Sequence, residues 1–98
     1  EQWWSEVTGQ TAAEYRNNGW LRAVHPEDRE RVAAQWSHSL ENQQPYRSEY
    51  RVRAVDGAYR HIIVKGVPVR NADGSFREWV GTIEDVTARK RSEQKVLE

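Results

Sequence analysis

The chain has 98 residues, enough for one domain and too few for a large multi-domain enzyme. Fifteen basic residues balance fifteen acidic ones, which argues against the basic face that nucleic-acid binding needs. There is no cysteine, so disulfides, thiolate metal sites and cysteine nucleophiles are excluded together.

Leu, Ile, Val and Phe make up only 18 of the 98 residues, close to the composition of disordered chains. Five Trp and four Tyr supply the missing apolar area, since each aromatic ring buries about 150–250 Å². The composition therefore predicts a small folded domain with a thin, aromatic-dependent core. No apolar run reaches the ~18 residues of a membrane span, and no signal peptide is visible.

Residues 1–24 read as short helical turns. Trp3, Trp4 and Val7 cluster before a break at Thr8-Gly9. Thr11 and Glu14 have capping-box spacing, and Asn17-Asn18-Gly19 signals a turn. Residues 26–41 give the clearest helix: Pro26 suits its first position, and Glu27 and Asp28 suit its first turn. Val32, Trp36 and Leu40 recur every four residues and predict its buried stripe.

Residues 46–54 alternate. Tyr46, Ser48, Tyr50, Val52 and Ala54 take one face, and Arg47, Glu49, Arg51 and Arg53 the other, which reads as solvated. Asp56-Gly57 predicts a hairpin into a second strand, Tyr59 to Val69, with apolar residues on both faces. Asn71-Ala72-Asp73-Gly74 predicts a second hairpin into a third strand, Phe76 to Val86. Tyr50, Val52, Trp79, Gly81 and Ile83 are expected to face the helices. Ala88 to Glu98 is charged and helix-compatible, with a faint heptad trace at Val86, Glu93 and Val96 or Leu97. The order predicts an α+β domain: an antiparallel sheet with several short helices and one longer helix packed on one face.

Trp20-Leu21, His25-Pro26-Glu27-Asp28-Arg29, Pro68-Val69-Arg70, Asp73-Gly74, Gly81-Thr82 and Asp85-Val86-Thr87, in that order, resemble the PAS domain with its C-terminal PAC segment. The likeness is greatest to the branch with an HPDD helix start and a DIT ending. It implies a PAS/PAC sensor domain over 1–87 and the start of a linker helix over 88–98. It also implies that the first two strands of a five-stranded sheet precede the part matching Trp3–Gly9. Three strands with open edges are a liability, so a neighbouring chain, in a homodimer, is expected to take their place. Ile63 and Val67 point the same way, because nothing obvious covers them.

The resemblance further implies a bacterial-type cytoplasmic signalling protein, with a histidine kinase or diguanylate cyclase as output domain in the same chain. The expected pocket residues are Trp36, Ser48, Tyr50 and Trp79; Asp85, Val86 and Thr87 would relay the signal, with Asp85 or Thr87 capping the linker helix. Members of the family bind haem, flavins or small metabolites, or nothing at all. The absence of cysteine removes the photochemical flavin adduct. Trp3, Trp4, Trp20 and Trp36 could stack on a non-covalent flavin, although their simpler role is core. Haem takes an axial ligand, usually His, but His25 is placed to cap a helix, His38 to face water and His61 on the central strand. No catalytic constellation and no metal-ligand spacing is present, so the cofactor stays open and the domain reads as a non-enzyme. A ligand-free dimerisation and relay module is the alternative. A ligand sensor should keep a cavity by Trp36, Ser48 and Tyr50, and a pure relay should have it filled.

Overall fold

A computed structural model describes residues 2–97, with side chains described for 2–93. The helical half comprises α1 (Gln2–Thr8), α2 (Ala12–Tyr15), a 3-10 helix (Gly19–Ala23) and α3 (Pro26–Asn42). Three strands follow, β1 (Tyr46–Arg53), β2 (Tyr59–Arg70) and β3 (Phe76–Asp85), and then α4 (Thr87–Leu97). Capping chemistry sets the helix starts. The Thr11 hydroxyl accepts from the Glu14 amide at 3.3 Å, and the Glu14 carboxylate accepts from the Thr11 amide at 3.0 Å. His25 caps α3: its Nδ1 accepts from the Glu27 amide at 3.0 Å.

The three strands form an antiparallel meander in the order β1-β2-β3. The loops Ala54–Ala58 and Asn71–Ser75 have the same build, each with a left-handed glycine, Gly57 (φ 85°) or Gly74 (φ 88°). Cross-strand register puts Tyr46, Gly66 and Gly81 in one row, and Ser48, Val64 and Ile83 in the next. Tyr50 and Val52 share that face with Trp79, as the alternation predicts. Arg47, Glu49, Arg51 and Arg53 lie on the opposite, outer face.

The helices cover the inner face and are tied to the free edge of β1. The His25 amide donates to the Arg51 carbonyl at 2.8 Å, the Arg51 amide donates to Asp28 Oδ2 at 3.0 Å, and Val24 bridges to Val52. Between these layers lie Trp4, Val24, Val32, Tyr50, Val52 and Ile62. Val32, Val52 and Ile62 are fully buried, worth roughly 1.5–3 kcal/mol each.

The predicted stripe on α3 is corrected at its end. Val32 is buried and Trp36 half-buried, but Leu40 is 43% exposed and Ser39 is buried in its place. Each four-residue step advances about 40° around a helix, so two steps carry Leu40 off the sheet while residue i+7 returns to it.

The outer face is covered in part. Ile63, expected to lack cover, is only 7% exposed. It pairs with Glu49, and α4 crosses there: Lys90 Nζ lies 2.8 Å from Glu49 Oε1. Val67 and its cross-strand partner Val80 are about half exposed, at 48% and 50%. Val86 is buried, whereas the side chains of Val96 and Leu97 in the expected heptad lie outside the described residues.

Candidate functional site

Between the inner face and the short helices lies a cavity of about 590 Å³. On the helix side, Trp3, Trp4 and Trp20 form a run of rings ending on Tyr50, with centroids 6.3–6.4 Å apart. Trp4 is fixed because its indole N–H donates to Gln10 Oε1 at 2.7 Å. On the other side, Trp36 packs edge-on to Tyr46 at 5.1 Å and tilted against Trp79 at 5.2 Å. The floor lacks side chains where Gly66 faces Gly81 across β2 and β3.

Three of the expected pocket residues, Trp36, Tyr50 and Trp79, line this cavity. Ser48 does not. It sits under α3, where its hydroxyl donates to Gln35 Oε1 at 2.6 Å and Arg31 Nη1 approaches at 3.4 Å. Sequence reasoning put Tyr46 and Gly81 on the inner face but did not count them, or Gly66, among the pocket residues. A glycine inside a strand often marks a close approach to backbone, and that signal was available. A Cβ on Gly81 would lie 2.4 Å from the Lys65 carbonyl oxygen, whereas one on Gly66 would meet nothing nearer than 3.8 Å.

Two phenols sit in this wall. Burial pushes the pKa of both Tyr46 and Tyr50 up. The Tyr46 hydroxyl is buried beside Ser48, whose hydrogen-bonding effect works against the rise, and it makes no close hydrogen bond among the described residues.

The wall does not offer His to a haem iron. His25 caps α3 and lies against Tyr59 at 4.6 Å, His38 is exposed beside Asn42, and His61 is on the outer-face row with Arg51. Among the described residues no group of three His, Asp or Glu could hold a metal ion. The rings suit a non-covalent flavin in kind. Among the described residues Lys65 is the only charged one along the cavity and is itself exposed, so they offer no buried cation for a flavin phosphate.

The expected relay residues come together at the exit of β3. Thr87 N–H donates to Asp85 Oδ1 at 2.9 Å, and the Thr87 hydroxyl donates to the same oxygen at 2.5 Å. That hydroxyl accepts in turn from the His61 amide at 2.9 Å, and the Val86 amide donates to the His61 carbonyl at 2.8 Å. Asp85 thus receives the first helical amide, while Thr87 spends its oxygen on the central strand. Glu49, expected to be solvated, instead holds α4 through Lys90, which lowers the Glu49 pKa and raises that of Lys90.

At the far end of β1, Asp28 accepts from Arg51 Nε at 3.0 Å and from Arg51 Nη2 at 2.8 Å, besides the amide bond above. The Arg51 guanidinium holds the Asp28 carboxyl down at about 2. The shape of this contact is a clamp between α3 and the sheet edge.

The chain is thus an α+β domain with an aromatic cavity between its antiparallel sheet and short helices, and a helix stapled to the exit of its last strand. The chain belongs to the PAS-fold family, whose model matches residues 1–83. Uncharacterized protein y4lL of Sinorhizobium fredii (strain NBRC 101917 / NGR234) is 39% identical over 94 residues, covering 96% of this chain. The chain spans 11% of that relative's length. Among solved structures, a sensory box histidine kinase/response regulator from Burkholderia thailandensis E264 superimposes with TM-score 0.62 at 42% identity, covering 76% of this chain and 56% of that one. The N-terminal domain of a diguanylate cyclase with PAS/PAC sensor from Marinobacter aquaeolei gives TM-score 0.66 at 27% identity, covering 72% and 65%. The role of the chain is sensory, in signal transduction. No helix among the described residues is long and apolar enough to cross a membrane.

Proposed function

We propose that this domain senses a small molecule in its aromatic cavity and passes the event through Asp85, Val86 and Thr87 to α4. From there it reaches an output domain in the same chain, a histidine kinase or a diguanylate cyclase. Residues 1–87 are then the sensor and 88–98 the start of the linker, in a cytoplasmic protein, and the domain itself performs no catalysis. The observation that carries the reading is the double tie of the β3–α4 junction to His61. It makes the helix start move with the central strand that also floors the cavity. A ligand that binds one sheet geometry better than another biases where α4 begins.

Two ties of different strength hold α4: the buried junction and the Lys90–Glu49 contact across the outer face. A partly exposed pair of that kind contributes little to folding, so it suits a contact that opens and closes. The test is Asp85→Ala and Lys90→Gln in the intact protein. Output activity, or its response to stimulus, should change while the melting temperature stays near that of the parent. Activity that falls only in proportion to folded protein would reduce these residues to structural ones.

The homodimer reading rests on Val67 and Val80, half-exposed partners on the outer face beside the free edge of β3. Light scattering at micromolar concentration should give twice the monomer mass, and Val80→Glu should restore the monomer. The cavity itself favours a ligand sensor over a ligand-free relay, which would have those rings packed against one another.

A further inference from the structure

We propose that α1 is a hinged flap over the cavity and that the Gln10 carboxamide is its latch. The inference rests on the ligand-sensing reading above and names how that site opens. Two of the rings along the cavity, Trp3 and Trp4, belong to α1. The helix-side wall is therefore only as firm as the seating of this helix.

That seating is light. α1 has seven residues, well short of the roughly 12–15 that a helix needs to hold by itself in water. Its first turn brings no acidic residue and its last turn no basic one, so side-chain charge does not support it. Among its described residues Trp4 alone is buried. Docking is what keeps α1 in place. The Trp4 ring lies edge-on to Trp20, with centroids 6.4 Å apart. The Val55 amide donates to the Val7 carbonyl at 2.9 Å, which ties the end of α1 to the first hairpin loop.

The joint is Gly9, between α1 and the capping box of α2. Its φ of 77° is a left-handed value that glycine takes without strain, and its amide closes α1 on the Ser5 carbonyl at 3.0 Å. Gln10 stands on the far side of that joint and reaches both ways. Its Oε1 accepts from the Trp4 indole at 2.7 Å, and its Nε2 donates to the Gly19 carbonyl at 3.0 Å. An amide has one accepting end and one donating end, so the bond to Gly19 turns Oε1 towards Trp4. One side chain thus fastens the flap to the start of the 3-10 helix, which carries Trp20. Losing it leaves a buried indole N–H unmatched, and the closed position loses its advantage.

Hydrogen exchange of the intact protein reads the flap without any ligand. The Val55 amide belongs to the hairpin loop but bonds to Val7, so its protection reports the docking of α1. In the parent it should be less protected than the amides of β2. Gln10→Leu should lower its protection about tenfold. Thr87→Val breaks a bond that stays made while the flap is open, so it should lower the protection of β2 and leave that of Val55 alone. The proposal is overturned if Gln10→Leu leaves Val55 unchanged, or if Thr87→Val lowers Val55 as much as β2. The second outcome would mean that α1 leaves only when the whole domain unfolds. Stopped-flow kinetics with a neutral dye, N-phenyl-1-naphthylamine, supply the functional readout. Association and dissociation should both quicken in Gln10→Leu, with affinity nearly constant, since a latch governs passage rather than the bound state. A fall in affinity at an unchanged association rate would make Gln10 a static part of the wall and overturn the flap. A dye that never binds would count against the ligand-sensing reading, and the exchange result would still decide the flap.

Discussion

The hydroxyl of Thr87, the first residue of α4, accepts a hydrogen bond from the His61 amide in the central strand at 2.9 Å. Both groups are shielded, and Thr87 is 4% exposed. One side-chain oxygen therefore joins the last helix to the middle of the sheet. The same hydroxyl donates to Asp85, so the carboxylate orients it rather than competing with it.

Thr87→Val keeps the shape of the side chain and removes the oxygen. The His61 amide is then left without its partner, and unfolding free energy should drop by about 1–3 kcal/mol. Thr87→Ser should recover most of it. Urea titrations of the three proteins give the comparison. Equal stability of Thr87→Val and the parent would show that water replaces the bond. From sequence spacing alone Asp85 would rank above Thr87 as the junction residue; this geometry reverses the order for stability.

Acid sensitivity should concentrate at Asp28. Its carboxyl titrates at about 2 in the folded protein against 3.8 when free, because Arg51 binds its charged form. A depressed folded value means that the contribution is present above the unfolded value. It is lost as pH falls from about 4 through about 2. The amount is about 2 kcal/mol, taking ~1.4 kcal/mol per unit. Asp28→Asn should lose this much at neutral pH and converge with the parent near pH 2. Parallel stability curves across that range would rule out the Asp28–Arg51 clamp as the cause.

The two facing glycines should respond in opposite ways to the same substitution. Gly81→Ala forces a methyl to within 2.4 Å of the Lys65 carbonyl oxygen, so the strands must part. A loss of about 1–3 kcal/mol is expected, as for other overpacked sites. Gly66→Ala places its methyl at ordinary contact distance in the cavity floor, where stability should hold or rise slightly. Thermal melts of both variants decide the matter. A destabilised Gly66→Ala would mean that the floor is already filled.

Much of the fold was legible in local chemistry. The Thr11–Glu14 box, the His25 cap, the Asp-Gly turns and the alternation of β1 each depend on residues close in sequence, and each appears where the spacing puts it. Leu40 misled because a four-residue repeat drifts around the helix, which a short stretch does not reveal. Glu49 and Ser48 misled for another reason. Their partners, Lys90 and Gln35, are 41 and 13 positions away in the chain, and no pattern of charge or polarity announces such pairings. The burial of the Tyr46 hydroxyl was hidden in the same way, since it depends on the packed wall and not on the residue type.

The two like-built turns bear on how the domain assembles. Each closes a loop between strands adjacent in sequence, so the whole sheet can zip from contacts of short separation. The N-terminal part of the helical half meets it through pairings of longer reach, among them Val7 with Val55, Val24 with Val52 and Asp28 with Arg51. Closing those loops costs more entropy, so they fall late on the route to the native state. In a chevron analysis, Gly74→Ala should then slow folding, while Asp28→Asn should chiefly speed unfolding. The cavity lies between an early half and a late one, and it comes into being only when the second closes on the first.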